Sequence, residues 1–179
     1  MTNTTERSLA HSTFTVERDF ASPPHAVFQA FADKAIKQKW FAGPDPWHQL
    51  SVGFDFREGG REHNEGQFGD EGPISRFDCY YHEIVPDTRI VYDYEMRVDG
   101  LRLSVSLASV EFAASGSGTH LTLTEFGVYF DAAEDPALRE AGTRELMDAL
   151  VAVVDGPAHP VRSGGDPGIS ADHWVQRKM

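Results

Sequence analysis

Asp135-Pro136-Ala137-Leu138-Arg139-Glu140-Ala141-Gly142-Thr143-Arg144-Glu145-Leu146-Met147-Asp148-Ala149-Leu150-Val151-Ala152-Val153-Val154-Asp155-Gly156-Pro157 reads as one long amphipathic helix near the end of the chain. Asp135 is a good N-cap and Pro136 a good first helical residue, because proline brings a preset φ and the N–H it lacks would be unpaired there anyway. Leu138, Gly142, Leu146, Leu150 and Val154 recur every four residues, with Met147 and Val151 alongside. That stripe is broad enough to pack on a sheet face. Gly156-Pro157 stops it. Gly142, Thr143 and Ala149 are small, and a helix carrying them cannot fill all the space above a curved sheet.

Strands joined by short turns precede this helix. Gly116-Ser117-Gly118 turns into Leu121, Leu123 and Phe126. Asp99-Gly100 is a hairpin signal between Ile90-Tyr92-Tyr94-Met96 on one side and Leu101-Leu103-Val105-Leu107 on the other. Phe77 to Val85 is rich in aromatic and β-branched residues, and Pro86-Asp87 turns it. Arg61 to Phe68 is a weak, polar strand before Asp70-Glu71-Gly72-Pro73, while Leu50, Val52, Phe54 and Phe56 alternate ahead of Gly59-Gly60. The first strand is Thr13 to Phe20. Ser22-Pro23 then opens a helix with Val27, Phe28, Ala30 and Phe31 on its apolar face, and Asp33 caps a shorter one ending at Gly43-Pro44. Seven antiparallel strands, two small helices after the first and one long helix last make an α+β layout. The domain spans 13–155, between flexible tails at 1–12 and 156–179.

Composition narrows the partners. Sixteen basic against 28 acidic side chains give a net charge of −12, which suits neither nucleic acid nor an anionic membrane surface. Cys79 is the only cysteine, so no internal disulfide forms and a reducing, cytoplasmic setting is expected. Residues 1–12 lack a signal-peptide core, and no run approaches the ~20 apolar residues a membrane helix needs.

Five segments occur together in order: Ala21-Ser22-Pro23-Pro24-His25-Ala26-Val27-Phe28, Lys39-Trp40-Phe41, Phe54-Asp55-Phe56-Arg57-Glu58-Gly59-Gly60, Pro86-Asp87-Thr88-Arg89-Ile90-Val91-Tyr92 and Gly118-Thr119-His120-Leu121-Thr122-Leu123-Thr124. In this the chain resembles the START-like (SRPBCC) superfamily, and within it the branch named for activators of the heat-shock-protein-ninety ATPase. The resemblance covers about residues 13 to 155. It implies a helix-grip fold with a deep hydrophobic cavity, and no agreed catalytic set. Relatives usually carry an aromatic where this chain has Thr143, and aromatics at Glu62 and Asn64. Those departures imply a larger cavity with one hydrophilic wall.

The expected cavity lining is Trp40, Phe54, Phe56, Tyr92, Tyr94, Met96, Leu103, Leu123, Thr143, Met147 and Leu150, with Trp47, Glu62 and Asn64 as further candidates. The tryptophans would stack on a flat ligand or simply pack. Tyr92 and Tyr94 would meet a ligand oxygen or a carbonyl. Glu62, if buried beside an apolar wall, would be a proton carrier, and if exposed merely a surface charge, the default for so polar a strand. Cys79 and Glu83 fall on one strand face and His82 on the other, so Cys79 reads as a small buried filler. There is no nucleophile elbow, phosphate loop, dinucleotide fingerprint or zinc spacing, so no cofactor, metal or catalytic residue is assigned. The favoured expectation is binding of a small hydrophobic or amphipathic molecule. The alternatives are a polyketide cyclase- or dehydratase-like enzyme with a pocket acid/base, and a chaperone ATPase activator-like interaction protein. A homodimer through sheet edges is compatible with all three.

Overall fold

The computed structural model of the protein describes residues 7–156. Strand β1 (Leu9–Phe20) is followed by helices α1 (Pro24–Ala32) and α2 (Lys34–Lys37). Six strands come next: β2 (Trp47–Phe54), β3 (Arg61–Phe68), β4 (Ile74–Val85), β5 (Arg89–Val98), β6 (Leu101–Ser115) and β7 (Gly118–Phe130). Helix α3 (Pro136–Asp155) is last. The sheet order is β1-β7-β6-β5-β4-β3-β2 with every neighbouring pair antiparallel. This is the helix-grip arrangement. β1 begins at Leu9, where Leu9 pairs with Phe130, so Leu9–Ser12 are strand rather than tail. The remaining tail residues, 1–6 and 157–179, lie outside the described residues.

Local chemistry explains most elements. Asp99 (φ 49°) and Gly100 (φ 78°) both take the left-handed conformation that a two-residue type I′ hairpin needs. The Asp33 carboxylate accepts from Ala35 and Ile36 N–H and caps α2, and the Asp135 carboxylate accepts from Ala137 N–H at α3. Ser22 does not cap α1: Pro23 holds that position without a side-chain bond. Instead the N–H groups of Ala21 and Ser22 donate to the Asp155 carboxylate, at 2.7 and 3.1 Å. Arg18 reaches Asp148 at 2.7 Å, and Arg144 donates to Thr15 O. These contacts lay α3 along β1 at one side of the sheet.

The face α3 turns inward is rotated by one position from the expected stripe. Arg139, Thr143, Met147 and Leu150 are its buried residues, not Leu138, Gly142 and Leu146. Strand β6 departs further. Leu101, Val105 and Leu107 are exposed, while Ser104, Ser106, Ala108, Val110 and Phe112 face inward. The apolar alternation of β6 therefore marks its outer face, and Leu103, which shares that parity, does not reach the interior. Two bulges matter for register. The one between Met96 and Arg97 pairs Met96 with Ser104. The one between Tyr81 and Glu83 breaks the alternation of β4, so Glu83 sits outside with Arg89 rather than on the face of Cys79.

Candidate functional site

A cavity of about 390 Å³ lies between the inner face of the sheet, α3 and the segment after α2. Aromatic rings dominate its wall and pack on one another: Trp40 on Phe31 at 4.9 Å and Phe41 on Phe77 at 4.9 Å edge-on, and Phe77 on Tyr94 at 5.0 Å between centroids with the rings tilted by 38°.

Of the residues named from sequence, Trp40, Trp47, Asn64, Tyr92, Tyr94, Met96, Leu123, Thr143 and Met147 line the cavity. Both indole N–H groups are used within the protein. Trp40 Nε1 donates to Ala30 O and Trp47 Nε1 to Ser75 Oγ, each at 2.9 Å. Trp47 lies flat across Gly66, where a Cβ would meet its ring at 2.1 Å. Any side chain at Gly66 would lift the ring out of the wall.

Five named residues do not line the cavity. Leu103 lies on the outer sheet face. Leu150 is wholly buried in the core below it. Phe56 falls beyond the end of β2 and stacks on Phe54 at 6.0 Å, while its edge meets Tyr81. Phe54 borders only a small separate niche beside Lys37 and Gln38. Glu62 is also in that niche. It is buried, 4% exposed, so the surface-charge default for β3 fails. Its Oε2 is 2.6 Å from Lys37 Nζ and accepts from the Tyr81 hydroxyl. Lys37 and Tyr81, which hold Glu62, line the cavity, and Glu62 itself does not. The Lys37 ammonium also sits 5.0 Å from the Phe41 ring centre and 5.6 Å from that of Phe54.

A second buried polar cluster occupies the other side. Arg139 donates to Glu134 at 2.6 and 3.0 Å, to Tyr94 Oη at 2.8 Å and to Ser104 Oγ at 2.9 Å. Glu125 lies 3.6 Å from the same guanidinium and accepts from Ser106 Oγ at 2.8 Å. This cluster explains the inverted β6: its inner serines are hydrogen-bond partners for buried ions, which a leucine could not be.

Burial pushes the hydroxyls of Tyr81, Tyr92 and Tyr94 well above the ordinary tyrosine range, and the Glu62 charge adds to the shift at Tyr81. These phenols stay protonated at neutral pH. Burial works against the Arg139 charge, but Tyr94, Glu134 and Glu125 outweigh it and hold the guanidinium charged. Burial also raises the Cys79 thiol, which is an inert filler. Tyr92 makes only ring contacts: among the described residues its hydroxyl has no hydrogen-bond partner, and its side chain lines the cavity.

Sequence reasoning missed Lys37, Tyr81, Glu125 and Arg139. Three had a signal: Glu125 continues the Leu121-Leu123 alternation, Tyr81 that of Phe77-Cys79, and Arg139 stands one turn before Thr143 on the helix. Lys37 had none, being one of three lysines between 34 and 39. Among the described residues no three His, Cys, Asp or Glu side chains come together as a metal site. No helix there is long and apolar enough to cross a membrane.

Residues 21–155 match the model of the family described as activator of Hsp90 ATPase homolog 1-like protein. No curated protein matches. Among solved structures, the Mll3558 protein from Rhizobium loti is 44% identical, with a TM-score of 0.75 over 82% of this chain and 99% of that one. An uncharacterized protein from Rhizobium leguminosarum is 38% identical, with a TM-score of 0.78 over 84% and 98%. An AHSA1-like protein from Aeromonas hydrophila shares the fold at 21% identity and a TM-score of 0.63, over 85% of this chain and 100% of that one. With three-quarters of its length under the family model and this sheet-and-helix architecture, the chain belongs to the activator of Hsp90 ATPase homolog 1-like family, a branch of the START-like superfamily.

Proposed function

We propose that the protein binds a small, partly apolar molecule in the cavity beneath α3. The observation that carries this reading is a hollow of about 390 Å³ walled by rings and thioethers, with polar groups at only a few points. Pockets of roughly 300–1,000 Å³ with that make-up are the usual sites of small ligands: apolar walls give affinity, and a few polar groups set orientation. An enzymatic reading through Glu62 is less favoured. The oxygen that would move a proton is held by both Lys37 and Tyr81, and neither gives the cavity a free base.

The test is a thermal-shift and native mass-spectrometry screen with lipid, aromatic and polyketide compounds, run beside the Thr143→Phe variant. Thr143 faces the cavity from the middle of α3. Phenylalanine there fills the hollow, and the added apolar burial stabilises the fold by about 1–2 kcal/mol. Compounds that shift the wild type and not the variant support the reading. If nothing in the panel shifts the wild type, or if hits shift both proteins equally, the cavity is not a binding site.

A further inference from the structure

The cavity holds two cations, and both are already neutralised. Lys37 Nζ is 2.6 Å from Glu62 Oε2, and Arg139 takes two bonds to Glu134 with Glu125 at 3.6 Å. Counting wall and backing groups together, Lys37 and Arg139 face the buried Glu62, Glu125 and Glu134, with Glu145 of α3 exposed to solvent. The buried balance is two positive against three negative. An entering carboxylate would lose its hydration, find no unpaired cation and feel the field of Glu125. A donor group meets the opposite situation. The Tyr92 hydroxyl is unpartnered among the described residues and can accept or donate, while the Glu125 carboxylate in the same wall can only accept, so the pair together favours a donor. The rings of Tyr92 and Trp40 also line the space, and an aromatic face favours a cation over an anion, whereas the Tyr94 ring already has the Arg139 guanidinium over it at 5.5 Å.

Resting on the binding reading above, we infer that the cavity selects an uncharged or cationic aromatic molecule carrying a hydrogen-bond donor, and rejects carboxylates of the same shape. The donor is held between Tyr92 and Glu125, and the ring lies among Phe77, Tyr94 and Trp40. Lys37 keeps to Glu62 and does not turn to the ligand.

Three naphthalene compounds of one ring size separate the possibilities by calorimetry at neutral pH: naphthol (neutral), naphthylmethylamine (cationic) and naphthoate (anionic). Naphthol and the amine should bind at least about tenfold more tightly than naphthoate, a difference of about 1.4 kcal/mol. Naphthoate binding as well as either of the others overturns the selectivity while leaving a working cavity. Absence of binding by all three overturns the binding reading with it. In Glu125→Gln the amine should lose about tenfold while naphthol changes little, and equal losses for both would refute the assigned role of Glu125. Tyr92→Phe, which keeps the ring and removes only the hydroxyl, should weaken naphthol about fivefold. An unchanged affinity there refutes the hydrogen bond independently of how the Glu125 variant folds.

Discussion

Replacing Lys37 by methionine tests the buried charge network that forms one wall of the cavity. The Lys37 and Glu62 side chains are 10% and 3% exposed, so both ions have left water. At 2.6 Å and an effective dielectric near 20, their attraction is about 6 kcal/mol. Most of that is consumed by desolvating the pair, which is why intact buried pairs add little net stability. Lys37→Met removes the attraction and keeps the desolvation of Glu62. Breaking one partner of such a pair costs about 3–5 kcal/mol. Tyr81 still donates to the same carboxylate oxygen, so the low end, about 3 kcal/mol, is expected.

Urea unfolding followed by tryptophan fluorescence reads this directly. With a slope of about 2 kcal/mol per molar, the midpoint should fall by roughly 1.5 M. In Lys37→Met/Glu62→Gln no stranded charge remains, and the amide can still accept from Tyr81. That double variant should recover about 2 kcal/mol of the loss. A solvated surface pair would instead be worth about 0–1 kcal/mol. A midpoint shift in Lys37→Met below about 0.5 M, or a double variant no more stable than the single one, refutes the buried network.

Tyr129 offers a test of opposite sign: its hydroxyl is shut off from solvent and, among the described residues, has no hydrogen-bond partner. Burial pushes its pKa to about 12, and Tyr129→Phe should raise stability by about 1 kcal/mol in the same urea assay. A drop in midpoint would mean that the hydroxyl is satisfied in solution. His120 gives a pH signature. Its Nδ1 is 2.7 Å from Asp19 and its Nε2 is 3.5 Å from Glu17, and the Asp19 hydrogen bond raises its pKa above 6.5. A raised value means the imidazolium is favoured by folding. Its contribution is complete below about pH 6.5 and disappears as pH rises through the folded value. His120→Ala should therefore melt below wild type near about pH 5.5 and together with it near about pH 9. Equal differences at both would show that the contacts carry no charge dependence.

The fold was legible because its signals are local. Asp99-Gly100 demanded a hairpin, Asp33 and Asp135 marked helix starts, and the alternation of Ile90, Tyr92, Tyr94 and Met96 put those residues on the inner face. The site was legible only where hydrophobicity and burial coincide. On β6 they part: Leu101, Val105 and Leu107 are exposed while Ser104 and Ser106 are buried, because the ions of Arg139 and Glu125 need hydroxyl partners. A pattern rule that sends leucines inward cannot foresee an arginine on the helix above. The same holds for Glu62. Its burial depends on Lys37, 25 residues earlier, and no periodicity links the two. Bulges were the other blind spot, since one added residue after Tyr81 reverses the parity that had put Glu83 beside Cys79.

The persistence of an open hollow in so aromatic a core follows from where the wall residues are anchored. Trp40 is tied to Ala30, Trp47 to Ser75, Tyr81 to Glu62, Tyr94 to Arg139 and Asn64 to Gln49 and Phe41. Each bond holds its side chain to the wall. Collapse into the space would forfeit a hydrogen bond for each of these anchored side chains that moved, at a cost of about 1–3 kcal/mol each where it is buried. Filling by α3 is equally blocked: Arg18, Arg144 and Asp155 tie the helix to β1 and to the segment before α1, and three of the residues it turns to the cavity, Gly142, Thr143 and Ala149, are small. Such a cavity is built before any ligand arrives, so a ligand of the right size spends little of its binding energy on rearranging the protein. Of the wall groups, Tyr92 and Thr143 combine a position on the cavity with a hydroxyl that makes no hydrogen bond among the described residues, and the phenol of Tyr92 stands in the sheet wall it shares with Glu125.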